Sequence, residues 1–596
     1  MSVLDRIERL RNVMEQQKID CYIIPTDDYH HSEYVGDYFK FREYITGFTG
    51  SAGTAVFTKD KAGLWTDGRY FIQAEAQLKG SGITLYKSGE SDVPTIEEFL
   101  KSELKEGDVL GFDGRTVTYA QGKRYCHIAD ENGASLKYSL DFAQNIWKER
   151  PEMSMESVFS LADEYTGEKI GSKLEQIREI MKENGCNAHV LSSLDDIAWL
   201  LNIRGNDIAY CPLVLSYAIV YNNSVELFAD IRKFSDDIIN LLAENQVKIY
   251  PYEDIYRKVS EMTSEDKLLL DSSIMNYSLY QSISKETVIV DKQNPEILMK
   301  SVKNETQAEN LRKAHLKDAV AHTKFMYWLK KNIGRVEITE LSASARLEGL
   351  RAEQEHFLGP SFGPISAYGE HGAIVHYSAD EKSNVPLKEG KLFMTDTGGH
   401  YLEGSTDITR TVALGEVGNL EKEHFTLVAR AMLRLANTVF LYGCSGVNLD
   451  CIAREIFWKE GLNFNHGTGH GVGYLLNIHE GPINFRWKEG ERSAPALEEN
   501  MVITDEPGIY IEGSYGIRLE NELLVRKTVK NEYGQFMNFE ILTYVPIDLD
   551  AILPEKMSTE EKEMLNHYHK QVYEKVSPYL SEEERIWLKE YTRAVK

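Results

Sequence analysis

FMTDTGGHYLEGSTDITRTVAL (residues 393–414) carries two aspartates, Asp396 and Asp407, on either side of a glycine-rich turn. Antiparallel pairing about a centre at Tyr401 and Leu402 sets Asp396 opposite Asp407, and directly opposed residues stand about 4.5 to 5.5 Å apart at Cβ. Like charges at that spacing repel unless a cation lies between them. MVITDEPGIYIEGSYGIRLE (residues 501–520) repeats the arrangement, with Gly513 as the midpoint between Glu506 and Glu520. Four acids converging from two hairpins are costly to bury without compensation, and a divalent metal supplies it.

An imidazole comes from HGTGHGVGYLLNIHEGP (residues 466–482). His466 and His470 have the i,i+4 spacing of zinc-binding HExxH helices, but Gly467 replaces the glutamate and four glycines in eight residues disfavour a helix. On an extended backbone, period two places both histidines on one face, and the glycines let the backbone approach a ligand. A lone acid is usually solvated, and a lone buried histidine is usually a hydrogen-bonded core residue. The ordered combination of an Asp pair, a glycine-flanked His and a Glu pair reads instead as a metal site. Four carboxylates and one imidazole suit Mn²⁺, Co²⁺ or a similar ion, and four negative charges balance two divalent cations. Two metals about 3.5 to 4 Å apart acidify a bridging water and polarise a carbonyl, the equipment of a hydrolase.

Outward from these segments, the chain has 596 residues, 42% of them hydrophobic, enough for several domains that each bury a core. With 67 Lys plus Arg against 93 Asp plus Glu, the formal charge is −26, which repels phosphate backbones and anionic lipid surfaces, so nucleic acid and membrane are not expected partners. The six cysteines form no CxxC pair and are expected to be reduced and mostly buried, as in the cytoplasm. No apolar run approaches the length of a membrane span, and the N-terminal stretch has no signal-peptide core.

Val3, Leu4, Ile7, Leu10, Val13 and Met14 follow helical spacing and precede the apolar run Cys21 to Ile24, a helix followed by a buried strand. About 167 residues later KLEQIREIMKENGCNAHVLSSLDD (173–196) repeats RIERLRNVMEQQKIDCYIIPTDD (6–28), with Arg178 against Arg11 and Met181 against Met14. Two related α/β domains in tandem are therefore expected, with a boundary in the polar stretch 151–169. A third region opens at Asn304, where Asn-Glu-Thr-Gln has capping-box spacing ahead of a long helical pattern. Two further capping boxes, Ser558 with Glu561 and Ser581 with Glu584, predict docking helices in the tail, with the charge runs 560–562 and 582–585 as solvated faces.

At the acid and histidine motifs the sequence resembles the pita-bread metallopeptidases, which include methionine aminopeptidase, prolidase and aminopeptidase P. The long form of aminopeptidase P, with two creatinase-like domains before the catalytic domain, is similar over essentially the whole chain, including REYITGFTGSAGTAV (42–56) and LWTDGRYFIQA (64–74). The resemblance implies an α/β (α+β) protein divided at 1–152, 153–303 and 304–596, the last a pita-bread domain with a helical extension. It implies that Asp396 binds one metal, His470 and Glu506 the other, and that Asp407 and Glu520 bridge them, with Glu506 also taking a proton from the bridging water. His376 in GAIVHY and His479 in NIHEGP would contact the substrate carbonyl and shuttle protons, His466 would line the site, and Arg518 would partner a carboxylate. His371, five residues before His376, has no counterpart role and reads as a solvated loop residue.

The implied activity is hydrolysis of the N-terminal Xaa-Pro peptide bond by a cytoplasmic homodimer carrying two divalent ions per chain, Mn²⁺ first, with Co²⁺ and Zn²⁺ as competitors. Because an Xaa-Pro bond has no N–H, its site must recognise the ring by shape. A prolidase-type dipeptidase and a catalytically silent scaffold are the alternatives; retention of every ligand disfavours the scaffold.

Overall fold

The computed structural model describes residues 1–490 and 493–596. The chain divides into two compact units, residues 1–161 with 168–296, and residues 162–167 with 297–596.

The first unit contains the expected repeat. The helix Val3–Gln17 leads to the strand Cys21–Pro25, and the helix Ile170–Glu183 leads to the strand Ala188–Leu191. Each strand lies third from one edge of a six-stranded sheet, and the two sheets have the same strand order. In both, this strand pairs antiparallel on one side and parallel on the other. The two matched arginines make the same bond. Arg11 Nε donates to Thr58 O at 3.1 Å and Arg178 Nε to Tyr221 O at 3.0 Å, each acceptor ending the antiparallel neighbour of its strand. Met14 and Met181 are both buried, so the shared sequence pattern is a shared packing pattern.

The second unit carries the acid and histidine motifs. Asn304 caps the helix Glu305–Asn332 through the reciprocal bonds Gln307 N to Asn304 Oδ1 (3.0 Å) and Asn304 N to Gln307 Oε1 (3.1 Å). A three-stranded sheet sets Lys391–Thr397 between Ile365–Tyr368 and Ile408–Leu414, all antiparallel. A six-stranded sheet contains Gly469–Val472, His479–Phe485, Val502–Asp505 and Asn521–Asn531. Between Val502–Asp505 and Asn521–Asn531 in sequence runs the two-stranded ribbon Gly508–Ile511 with Tyr515–Arg518.

The tail forms the helices Thr559–Val576 and Glu582–Tyr591, each with its capping box. One predicted solvated charge is not on the surface: Glu561 is 5% exposed and pairs with Arg430 at 3.0 Å, because its helix turns that face toward the helix Asn419–Ala436. All six cysteines are free, but only Cys21, Cys186 and Cys211 are buried; Cys451 sits on the outer face of its helix, so the thiols are not mostly buried as expected. Among the described residues no helix is long and apolar enough to cross a membrane.

Candidate metal centre

Asp396 lies next to the end of the strand Lys391–Thr397, but its partner is Thr409 rather than Asp407. The register continues through His400 with Ser405 and Tyr401 with Gly404, so the turn is centred on Leu402 and Glu403, one residue later than the symmetric reading. Gly404 has φ +128°, a conformation that glycine alone adopts readily, and this fixes the turn there. Asp407 consequently lies two residues along from the position opposite Asp396, which period two keeps on the same face. The second ribbon follows its predicted symmetry: Gly508 pairs with Arg518 and Ile511 with Tyr515 about Gly513, at φ +69°. Glu506 and Glu520 stand just beyond the open end of that ladder, one on each strand, where Glu506 N donates to Thr468 O at 2.8 Å and Glu520 N to Thr409 O at 3.1 Å.

His470 lies in the strand Gly469–Val472, as the extended reading expected, while His466 precedes that strand. The glycines serve strand packing rather than approach to a ligand: a Cβ on Gly469 would stand 1.9 Å from Thr504 O, and one on Gly471 2.3 Å from Glu480 O. Beneath this segment the buried pair Arg454 and Asp450 holds Thr468 and His466, with Asp450 Oδ1 accepting from Thr468 Oγ1 at 2.6 Å and Arg454 Nη2 donating to His466 O at 3.1 Å. His470 Nδ1 donates to Gly471 O at 2.9 Å, which orients Nε2 toward Asp407 Oδ2 (3.5 Å) and Glu506 Oε1 (3.9 Å). The His479 ring meets the His470 ring edge-on, with centroids 4.3 Å apart.

Three overlapping groups of ligand atoms each lie within 4.8 Å of one another: Asp396, Asp407 and Glu520; His470, Glu506 and Glu520; and Asp407, His470 and His479. The structure thus brings Asp396, Asp407, His470, Glu506 and Glu520 into one cluster and adds His479 at its edge. Burial and mutual repulsion raise the carboxyl pKa values of Asp407, Glu506 and Glu520, burial being the first cause in each. Asp396 Oδ1 is buried and accepts no hydrogen bond. Crowded acids with an unsatisfied oxygen, facing an imidazole held in one orientation, fit a site for divalent cations.

Arg518 is a buried cation bonded directly to one of these carboxylates. Its guanidinium donates to Asp396 Oδ2 at 2.5 Å and Tyr510 Oη at 2.7 Å, so the carboxylate it partners is that of Asp396. Tyr510 Oη is in turn 2.8 Å from His466 Nε2, and the His466 Nδ1 lies 4.0 Å from Glu506 Oε2. His376 sits in a turn whose preceding carbonyl, Val375 O, is 3.4 Å from Arg518 Nη2.

Several residues of the site were not legible in sequence. Glu522, fully buried, accepts the Asp407 N–H at 2.7 Å and lies 3.1 Å from His315 Nε2 on the long helix. Thr409 donates to Glu520 Oε2 at 2.7 Å. Arg410, also fully buried, donates to Glu520 O (2.6 Å), Asn521 Oδ1 (2.7 Å), Val545 O (2.8 Å) and Tyr568 Oη (2.7 Å), so the tail helix braces the backbone of Glu520. Period-two spacing from Glu520 and from Asp407 is the signal that would have picked out Glu522 and Thr409.

The sequence profile of metallopeptidase family M24 matches residues 309–527, and that of the C-terminal region of peptidase M24 matches residues 535–595. Profiles of the creatinase/prolidase N-terminal domain match residues 6–137 and 149–307. The chain is 34% identical to aminopeptidase P1 of Arabidopsis thaliana over 99% of both chains. It is 36% identical to Xaa-Pro aminopeptidase 1 of Dictyostelium discoideum over 97% of this chain and 94% of that one. The crystal structure of the X-prolyl aminopeptidase of Caenorhabditis elegans, described as a cytosolic enzyme with a di-nuclear active site, superposes with a TM-score of 0.95 at 33% identity, covering both chains fully. With its acids and histidine assembled as above, and with relatives of this similarity end to end, the chain belongs to metallopeptidase family M24, its catalytic domain preceded by two creatinase/prolidase N-terminal domains.

Proposed function

We propose that the chain is an Xaa-Pro aminopeptidase, removing the N-terminal residue from peptides with proline in the second position. The observation that carries this reading is the convergence of Asp396, Asp407, His470, Glu506 and Glu520 within 4.8 Å groups beside His479, in a chain similar end to end to enzymes named for that activity. The catalytic domain is assigned to 304–596 and the two N-terminal domains to 1–152 and 153–303.

Asp396, Asp407, His470, Glu506 and Glu520 would hold two divalent ions, which when bound supply Lewis-acid polarisation of the scissile carbonyl and a lowered pKa for water. Mn²⁺ is the working ion of this proposal, because the donor set is rich in oxygen and has no thiolate. Glu506, whose carboxyl pKa burial raises toward the range of a useful base, takes up the proton released by the attacking water. His376 and His479 bind the substrate carbonyl and pass protons to the leaving prolyl nitrogen, which has no proton of its own. His466 lines the site through Tyr510, and Arg518 orients Asp396 by donating to its Oδ2. A cytoplasmic setting is supported by the six free thiols. A homodimer is supported by the exposed Trp458 and Trp487, which pack edge to face at 5.9 Å with 42% and 44% of their surface open.

The test is to strip the protein with chelator, reconstitute it with Mn²⁺, Co²⁺ or Zn²⁺ in turn, and assay Xaa-Pro dipeptides against longer Xaa-Pro peptides. Restoration by Mn²⁺ on longer peptides is expected. Cleavage of dipeptides alone would make it a prolidase, full activity after stripping would refute a metal-dependent reaction, and fewer than one ion per chain after reconstitution, with no hydrolysis, would leave a scaffold. Light scattering at micromolar concentration that shows only a 68.0 kDa species would refute the dimer.

A further inference from the structure

His371 is not the solvated loop residue that the sequence suggested. Its imidazole is 19% exposed, its Nδ1 lies 2.8 Å from Glu340 Oε1, and its ring stacks on Tyr377 at 4.4 Å between centroids. Glu340 has no exposed side-chain surface, and its carboxylate is fully engaged. Oε1 also accepts the Tyr368 N–H at 2.8 Å, and Oε2 accepts the Tyr377 hydroxyl at 2.9 Å and the Val385 N–H at 3.4 Å. An ionised carboxylate only accepts, so Nδ1 of His371 carries a proton. Glu340 occupies the first turn of the helix Glu340–Ala352, where the helix dipole favours its negative charge.

One buried carboxylate therefore gathers both ends and the middle of the segment from Tyr368 to Val385. His376 lies in that segment, between the two side-chain attachments His371 and Tyr377. The opposite side of the segment is fixed against the metal cluster's own supports. Gly372 packs so closely on Gly516 that a Cβ on Gly516 would stand 1.7 Å from Gly372 O, and Val375 O faces Arg518, which holds Asp396. Of these attachments, His371 is the one that joins the short helix Gly369–Ala373 to Glu340 by a side chain.

We infer that His371, acting through Glu340, is a positioning residue for His376: it sets the turn from which His376 reaches the substrate. The inference rests on the reading of His376 as the residue that handles the substrate carbonyl. His371 touches neither the ligand cluster nor, on this reading, the substrate, so its loss leaves the metal in place and misdirects His376. A displacement of about 1 Å in a group positioned for reaction costs roughly 10²-fold in rate.

The experiment compares His371→Ala, His371→Asn, His376→Ala and the double variant His371→Ala with His376→Ala, all in the metal-loaded full chain on an Xaa-Pro tripeptide. Metal content and melting temperature are measured for each. For His371→Ala, kcat is expected to fall about 10- to 100-fold, with KM within about twofold and metal content unchanged. Asn, whose Nδ2–H reaches the place of Nδ1–H, is expected to restore kcat to within a few-fold of the parent. In the His376→Ala background the additional loss of His371 is expected to have no effect, since two changes acting through one group are not multiplicative. Normal kcat in His371→Ala, an Asn variant as impaired as Ala, or multiplicative losses in the double variant would each overturn the positioning role while leaving the His376 reading intact. Normal kcat in His376→Ala would overturn the His376 reading itself. Should His371→Ala fail to fold, His371→Leu, which keeps bulk but removes the donor to Glu340, serves in its place, and normal kcat there overturns the inference equally.

Discussion

Arg410→Met separates the bracing of Glu520 from its chemistry. Arg410 has no exposed surface, and its loss leaves Glu520 O and Asn521 Oδ1 without their short guanidinium donors. Thr409 O keeps the Glu520 N–H and Val545 O keeps the Tyr568 hydroxyl, so those two acceptors remain satisfied. Two stranded buried acceptors at about 1 to 3 kcal/mol each predict a loss of about 2 to 6 kcal/mol, with methionine refilling the volume of the stem. Tyr568→Phe is the contrasting change. The guanidinium still reaches Asn521 Oδ1 and Val545 O, so about 1 to 2 kcal/mol is expected. The assay is urea unfolding of the metal-loaded protein, followed by metal affinity measured by calorimetry on the folded fraction. Arg410→Met should also weaken metal binding by about 10- to 100-fold, because the backbone that aims the Glu520 carboxylate loses its brace. Tyr568→Phe should bind metal as the parent does. Unfolding costs of equal size in the two variants, or parental metal affinity in Arg410→Met, would refute the chain of support from the tail helix through Arg410 to Glu520.

Replacing Asp407 by alanine removes a carboxylate shared by two of the ligand groups, so mass spectrometry should find fewer than one ion per chain, and two retained ions would show the ligand set to be wrong. His479→Ala should keep its metal and lose about 10² to 10⁴ in kcat, whereas His470→Ala should lose metal as well; equal metal loss in the two would merge their roles. The chelator-stripped protein should be less stable at alkaline pH than at mildly acid pH. Asp407, Glu506 and Glu520 have raised folded-state carboxyl pKa values, so the folded chain binds more protons than the unfolded one between the unfolded and folded values, and stability falls as pH rises through that window. Differential scanning fluorimetry across pH, with and without Mn²⁺, checks the sign: a stripped protein whose melting temperature rises from about pH 5 to about pH 8 would contradict the crowding of these acids.

The five proposed ligands could be picked out in sequence because the pattern that carries them is local. Glu506 and Glu520 flank the open end of a ribbon that pivots on Gly513, and a hairpin's register is determined by its own turn. The same reasoning placed the first hairpin's centre one residue early, because symmetry between the two aspartates was a weaker guide than the positive φ of Gly404. The tandem repeat was legible for a similar reason: Arg11 and Arg178 stand in the same helix-and-strand context and make the same bond to a neighbouring strand end.

What held those ligands in place was not legible. Glu522 bonds the backbone of Asp407 across 115 residues, Arg410 meets Tyr568 across 158, and His371 reaches Glu340 across 31. No periodicity in a single segment encodes such pairs, since each partner alone looks like an ordinary acid, arginine or loop histidine. Burial assigns their roles: once packing removes water from Glu340, Arg410 and Glu522, each must find its donors or acceptors among whatever side chains and backbone groups the fold brings alongside. The sequence by itself determined the proposed donor set, its order and the local hairpins that present it. The tertiary structure decided the register between those hairpins and the buried partners that aim each carboxylate and imidazole, because desolvation acts only on groups that the whole chain has already enclosed.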